Sequence, residues 1–513
     1  MKLQKIKLTL AFLAFSSTLS GVPDSAELFY KVREGQMAWI QNGKWSPCAQ
    51  ELMQRLSHVD EEGLETQDYA PKLSELQGIS LSDPISQMKA DELLTSLALT
   101  YISDMKGERL NPKKVDKDLY IKQVEVSEAG LLKDYLGSSS CTWIASLAPS
   151  HKDYQDLKEL LKDYRAIKAA GGWPELPKGT KLEKGDQGAN VEVLRKQLVA
   201  QGSLDSAQQP GLHFDDALEA AVKSYQETHG LEPDGKVGPG TLEALNTSVD
   251  KRIEQIIVSL ERERWLPNDL GSRYIMVNIA GFELDAVSDN KLQFTMPVIT
   301  GRAYRQTPSF NAHINEIIFN PSWHVPYNIA VSDKLPKLKN NPNAFSGKGY
   351  NFYDSSGNSV SPTSVNWSAY SSGNFPYRIV QSPGSANALG KIRFTIDYES
   401  AKLPNLSIYL HGTPDQELFS KSQRSFSSGC IRVEDPAQLA QFVFDEPSTW
   451  SLDRIKKETA GTKTDRIKLK DPIPVYITYF TVWKDAQGRT HFVKDIYGQD
   501  KQVWDALQKR RKI

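Results

Sequence analysis

The chain has no charge of either sign to spare: 62 Lys and Arg against 63 Asp and Glu leave a net charge of −1. That balance excludes a strongly basic surface of the kind that holds nucleic acid or anionic lipid. Long apolar runs are also missing, and the N-terminal stretch Leu8–Phe15 is too short to span a bilayer stably. No Cys follows that run, so a lipid attachment site is not expected. Metal-ligand spacing is absent around His313 and His324, and no metal or other cofactor is expected. Cysteine is down to 3, an odd number that leaves at least one without an internal partner. Cys48 and Cys141 are either joined in an oxidising compartment or two small buried thiols, and the sequence leaves both open.

What is present fits globular domains: 39% hydrophobic residues, 9% aromatic and 513 residues in all, a length that suggests roughly three domains. Lys2, Lys5 and Lys7 precede the apolar run, and the small residues Ser16–Gly21 follow it, the order of a secretory signal over residues 1–21. From about Ala26 to Ala170 apolar residues recur at helical spacing, as in Cys48–Leu56 and Ala90–Ile102, so residues 22–175 read as a helical scaffold. Within it Tyr30, Trp39 and Trp45 flank Asn42-Gly43, a hairpin turn. The breaker cluster Gly171-Gly172-Trp173-Pro174 through Gly179 marks a boundary.

Residues 180–248 read as a small helical domain. Val191, Leu194 and Leu198 share one helix face, and Leu218, Ala221, Val222 and Tyr225 share another. After the turn Asp234–Pro239, Thr241 is expected to cap a third helix with Leu242 and Leu245. A helix over 249–265 follows, and then the period falls to two. Tyr274–Ile279, Phe294–Ile299, Glu316–Phe319, Ile392–Ile396, Leu406–Leu410 and Val475–Val482 are strand candidates in a mainly β domain over 272–484, with 485–513 as a C-terminal extension. Between 331 and 377 the strand pattern fails in a stretch rich in Ser, Asn, Gly and aromatics, including Tyr350, Phe352, Tyr353, Trp367 and Tyr370. A long insertion of this kind is expected to cap a site.

Chemistry concentrates in Tyr409-Leu410-His411-Gly412-Thr413 and Ser427-Ser428-Gly429-Cys430-Ile431-Arg432. A thiol is a nucleophile as thiolate, and an imidazole beside it can take its proton. His411 at a strand end and Cys430 on a Gly-containing turn can face one cleft. Gly429 frees the backbone to bend and to aim amides at a reacting carbonyl. Arg432, two residues beyond Cys430, shares its side of an extended chain and can pair with a substrate carboxylate. An isolated His or Cys is more often structural, and it is their joint context that gives them weight.

That context resembles the bacterial L,D-transpeptidase family, in which a His-Gly pair precedes Ser/Thr-x-Gly-Cys-x-Arg. Trp323-His324-Val325-Pro326 is similar to its Trp-x-x-Pro segment, and Gln381-Ser382-Pro383-Gly384 with Asn387-Ala388-Leu389-Gly390 to its Pro-Gly and Asn-Ala-Leu-Gly run. Gly185–Asn246 resembles the three-helix peptidoglycan-binding repeat, and the whole arrangement resembles the large, scaffold-bearing Gram-negative subclass. Ser428 departs from the family, where His commonly precedes the Gly.

The resemblance implies a periplasmic cysteine acyltransferase acting on peptidoglycan stems and glycan. Cys430 would attack the bond after the diamino acid of a tetrapeptide stem and release D-Ala. The amine of a second stem would then resolve the thioester. It further implies His411 as acid and base, Gly412 as the backbone group that orients it, and the Gly429 amide at the oxyanion. Tyr409, Arg432, Ser428 and Trp323 would bind substrate, other periplasmic wall enzymes would be partners, and carbapenems would acylate Cys430. The readings set against this are an L,D-carboxypeptidase on the same stems, a non-catalytic wall-binding scaffold, and a protease on proteins, which the binding repeat fits poorly.

Overall fold

The computed structural model describes residues 23–121, 127–137, 140–208, 211–397 and 407–510, so the expected signal at 1–21 lies outside the described residues. The chain divides into two units. One takes residues up to Val59 with Glu65–Lys106 and Glu125–Leu147, and the other takes Asp60–Leu64, Gly107–Val124 and Ala148 onward. No helix among the described residues is long and apolar enough to cross a membrane.

The first unit is helical and organised by one buried carboxylate. Asp91, on the helix Pro84–Met105, accepts from the Tyr30 hydroxyl at 2.6 Å and from the amides of Ala38, Trp39 and Ile40 at 2.8, 2.7 and 3.2 Å. A buried carboxylate is costly unless its lone pairs are filled, and here the start of a hairpin fills them. That hairpin pairs Ile40–Gln41 with Lys44–Trp45 across Asn42 and Gly43, both at positive φ (51° and 72°) as the tightest hairpin turns require. Cys48 and Cys141 are joined by a disulfide.

In the second unit the helix Lys152–Ala169, within the stretch expected to be scaffold, packs on Val249–Glu263. Three helices, Ala189–Ala200, Asp216–Thr228 and Pro239–Leu245, enclose a small core in which Val191, Leu194, Leu198, Leu218, Ala221, Val222, Tyr225, Leu242 and Leu245 all take part. Thr241 does not cap the third helix. Pro239, with φ pre-set, starts that helix two residues earlier behind Gly238, and the buried Thr241 hydroxyl accepts from Gln226 Nε2 at 3.0 Å.

Eight strands then close on themselves. They are β1 (Arg273–Asn278), β2 (Glu283–Ser288), β3 (Lys291–Gly301), β4 (Ser309–Phe319), β5 (Ile392–Asp397), β6 (Leu410–His411), β7 (Ile431–Val433) and β8 (Asp465–Thr478). The order is β5-β6-β7-β3-β2-β1-β8-β4, and β4 pairs back onto β5. Ile275, Val277, Ile314, Ile317, Phe394, Leu410 and Ile431 fill the interior, and full burial of each aliphatic side chain contributes about 1.5–3 kcal/mol. Of the strand expected at Leu406–Leu410, Leu406 lies outside the described residues, 407–409 are not in a strand, and the strand begins at Leu410.

The insertion is a body of its own rather than an irregular loop. Its core runs from Trp323 to Leu389, including Leu335, Leu338, Phe345, Phe352, Trp367, Phe375 and Ile379. Contrary to expectation it holds strands, Tyr350–Tyr353 and Ser359–Val360, in a four-stranded sheet with Trp323–His324 and Arg378–Gln381. Strands of two to four residues broken by Ser and Gly are too short to show a period. The C-terminal residues are also built in. Val482–Lys484 pairs with Thr490–Phe492, and the helix Gln499–Arg510 carries Asp500, which pairs with Arg262.

Replacing Cys48 and Cys141 together by Ser is expected to lower the stability of the first unit by about 2–5 kcal/mol, because the bridge closes a long loop. Thermal melts with and without reductant check this, and superimposable curves would refute it.

Candidate active site

Strand register assembles the site. β6 lies between β5 and β7, with Arg393 of β5 opposite His411 and Arg432 of β7 on its other side. Leu410 and Ile431 are register partners and both are fully buried in the core. Side chains alternate along a strand, so His411 and Arg432 face away from Leu410 and Ile431, while Cys430, just before β7, packs in part against the core cluster and has Tyr409, Arg393 and Arg432 near its thiol. The Ile431 amide donates to the Tyr409 carbonyl at 3.1 Å and locks that alignment one residue from the thiol.

His411 is 4% exposed, and its Nδ1 lies 2.5 Å from the Gly412 carbonyl oxygen. A carbonyl only accepts, so a neutral ring bonded this way carries its proton on Nδ1 and leaves Nε2 unprotonated, with the Leu389 carbonyl as a second backbone acceptor near the ring. Burial, and after it the Arg432 guanidinium, hold the imidazole pKa down to about 3, against the pull of the Gly412 carbonyl. The ring is therefore neutral at physiological pH. Gly390 allows the Gly412 backbone to sit where it does. Gly390 has φ 63°, and a Cβ on it would come within 2.6 Å of the Gly412 carbonyl carbon. Asn387 secures the turn that holds Gly390, donating to the carbonyls of Pro321, Gln381 and Ser382 at 3.1, 3.2 and 2.9 Å.

Cys430 is half-buried, with Sγ 3.6 Å from the Ser407 carbonyl oxygen. Burial raises its thiol pKa, while Tyr409, Arg393 and Arg432 oppose the rise. Gly429 before it has φ 114°, where a side chain would be strained and would also press on Ile408 Cδ1 at 3.1 Å. The Gly429 carbonyl accepts from Thr307 Oγ1 at 2.8 Å, and its amide donates to Ser427 Oγ at 3.1 Å. The amide expected to be free for an oxyanion is thus engaged, because the hydroxyl two residues back reaches it first.

The other expected residues fall into two groups. Tyr409 stands beside the nucleophile, its ring 4.1 Å from the Arg393 guanidinium and 5.6 Å from the His411 ring, with burial and then Cys430 pushing its hydroxyl pKa up. Arg432 donates to Asp415 at 2.9 Å. Ser428 accepts from Arg305 at 3.0 Å, and Arg305 in turn clasps Asp333 of the insertion. Trp323 is only 8% exposed and touches the Tyr409 side chain, so it braces that ring rather than offering a face to a ligand. The two roomy cavities of this unit, about 720 and 1200 Å³, are lined by neither Cys430 nor His411. Among the described residues no group of three or more His, Cys, Asp or Glu is placed to hold a metal ion.

Residues 272–469 match the L,D-transpeptidase catalytic domain, residues 187–245 a "Putative peptidoglycan binding domain" and residues 24–161 a scaffold domain. The chain carries an L,D-transpeptidase catalytic domain. A Haemophilus influenzae protein named "Putative L,D-transpeptidase" is 33% identical over 270 residues, covering 51% of this chain and 53% of the relative. The alignment therefore spans about half the length of that curated relative. The crystal structure of an L,D-transpeptidase (residues 123–326) from Xylanimonas cellulosilytica is 14% identical, covering 59% of this chain and 100% of that one at a TM-score of 0.18.

The fold also gathers here residues that local sequence did not single out: Arg393, Asp415, and the Arg305–Asp333 pair. Alternation along Ile392–Ile396 would have put Arg393 off the core face, but only strand pairing puts it beside His411.

A neutral imidazole at His411 and a raised thiol pKa at Cys430 are not a thiolate–imidazolium pair. Alkylation of Cys430 by iodoacetamide should therefore climb steadily between pH 6 and pH 9, tracking thiolate formation. A rate that is already flat and fast at pH 6 would show a preformed ion pair and contradict the geometry.

Proposed function

We propose that this protein is an exported L,D-transpeptidase that cross-links peptidoglycan stems through a thioester on Cys430. The observation that supports the reading is the pairing of β6 with β7, which sets the strand of His411, its Nδ1 held by the Gly412 carbonyl, against the strand that Cys430 immediately precedes. In the first step Nε2 takes the thiol proton as sulfur attacks the carbonyl of the diamino acid of a tetrapeptide stem. The tetrahedral oxyanion collapses to the thioester, and the C–N bond to D-Ala breaks as His411 returns its proton to the leaving amine.

In the second step the side-chain amine of a neighbouring stem attacks the thioester. His411 takes a proton from that amine, and the thiol is regenerated. The Cys430 amide holds the oxyanion in both steps, and the Gly429 amide joins it only after leaving Ser427 Oγ. Arg393 and Arg432 flank the ring and disfavour its protonated form, so the proton passes on rather than resting there.

The insertion covers the donor and keeps water from the thioester, which favours transfer over hydrolysis. The peptidoglycan binding domain holds the wall substrate near the site. Residues 1–21 direct export to the periplasm, where other wall enzymes supply tetrapeptides and carbapenems acylate Cys430.

Incubation of the mature protein with tetrapeptide fragments should yield cross-linked dimer masses and free D-Ala. Cys430→Ala should yield neither. Tripeptide without dimer would identify a carboxypeptidase instead, and unchanged fragments would leave a wall-binding scaffold.

A further inference from the structure

The insertion holds a cation with no anion of its own. Lys334 ends the π-helical turn Ala330–Lys334. Its Nζ lies 5.0 Å from the centres of the Trp323 and Phe345 rings and 4.7 Å from that of Tyr350, and it donates to the Tyr350 hydroxyl at 2.9 Å. The neighbouring acid is already spent, since both oxygens of Asp333 take Arg305, at 2.6 and 2.8 Å. No carboxylate among the described residues pairs with Lys334. An ammonium has three donors, and only one is used. Burial, and then the nearby Lys337, lower its pKa to about 8, against a smaller opposing pull from Asp333. Three aromatic faces offset part of that cost, and an incoming anion would offset the rest.

Two walls of the cage lead to the chemistry. Trp323 touches the Tyr409 side chain, which stands against Cys430. Tyr350 feels the charge of Asp415, the partner of Arg432. The cage is thus separated from the nucleophile by the width of two side chains. An extended peptide advances about 3.3–3.6 Å per residue, so one or two residues of a bound stem cover that interval.

We propose that Lys334 and the Tyr350 hydroxyl form a carboxylate-binding subsite for the donor stem peptide, on the side of the nucleophile that the insertion covers. This assignment rests on the transpeptidase reading above. A tetrapeptide stem offers three free carboxylates, on its γ-linked second residue, on the side chain of the diamino acid and on its terminal residue, and the subsite takes one of them.

The test compares wild type, Lys334→Met and Lys334→Arg on the native tetrapeptide and on three forms amidated singly, at the second residue, at the diamino acid side chain or at the terminus. Lys334→Met should cut kcat/KM for the native donor about 10- to 100-fold, mostly through KM, while Lys334→Arg keeps most of the activity. One amidated donor should be equally poor with wild type and Lys334→Met, which identifies the bound carboxylate. The other two should lose the full factor on mutation. An equal loss on all four donors would make Lys334 a structural residue of the insertion, and no loss on any would remove it from the site. Either result overturns the proposal. Calorimetric titration of the same donors into Cys430→Ala protein, with and without Lys334→Met, reads the subsite without turnover. A failure of the transpeptidase reading therefore cannot be mistaken for a failure of the subsite.

Discussion

The bond from His411 Nδ1 to the Gly412 carbonyl is the interaction on which the site depends. It fixes where the imidazole proton lies and so which nitrogen can act as base. A side-chain carboxylate in the same place would also stabilise the imidazolium, and a main-chain carbonyl does so less strongly. With burial, and with Arg393 and Arg432 on either side, the ring stays neutral, and Cys430 and His411 form no thiolate–imidazolium pair at rest. Charge on these two appears only while a proton is in transit. The carbonyl is held in turn by the close approach of Gly390 and the buried amide of Asn387, so the orienting group belongs to the fold and not to a mobile side chain.

The closed sheet supplies register, and the insertion supplies surroundings. β6 is only two residues long, yet its pairing on both sides sets Arg393 and Arg432 against His411. The insertion has its own aromatic core and meets the nucleophile's neighbours in two places: through Arg305, which joins Asp333 to Ser428, and through Trp323, which touches Tyr409. A body with an independent core can change its contents without disturbing the barrel. Selection of the donor is reasonably placed there, and bond-making with β6 and β7.

Much of this was legible in the sequence. The helical core at Val191, Leu194 and Leu198 and the strands at Tyr274–Ile279 and Ile392–Ile396 follow from periodicity, and Cys430 and His411 from their local context. What escaped it depends on pairing at a distance. Arg393 gains meaning only when β5 is set against β6, and Asp415 only when a loop turns back on Arg432. The Gly429 amide looked available because the competing acceptor, Ser427 Oγ, reaches it only in the folded turn. Thr241 was displaced as a cap by Pro239, a nearby signal that outweighed it. The strands of the insertion were hidden by their brevity.

Nitrogen-resolved NMR of the histidine ring addresses the central point most directly. With ¹⁵N-labelled protein, His411 should show a protonated Nδ1 and a bare Nε2 at pH 7, and both signals should hold still down to pH 5. A ring that titrates near pH 6.5, or one that carries its proton on Nε2, would contradict the account.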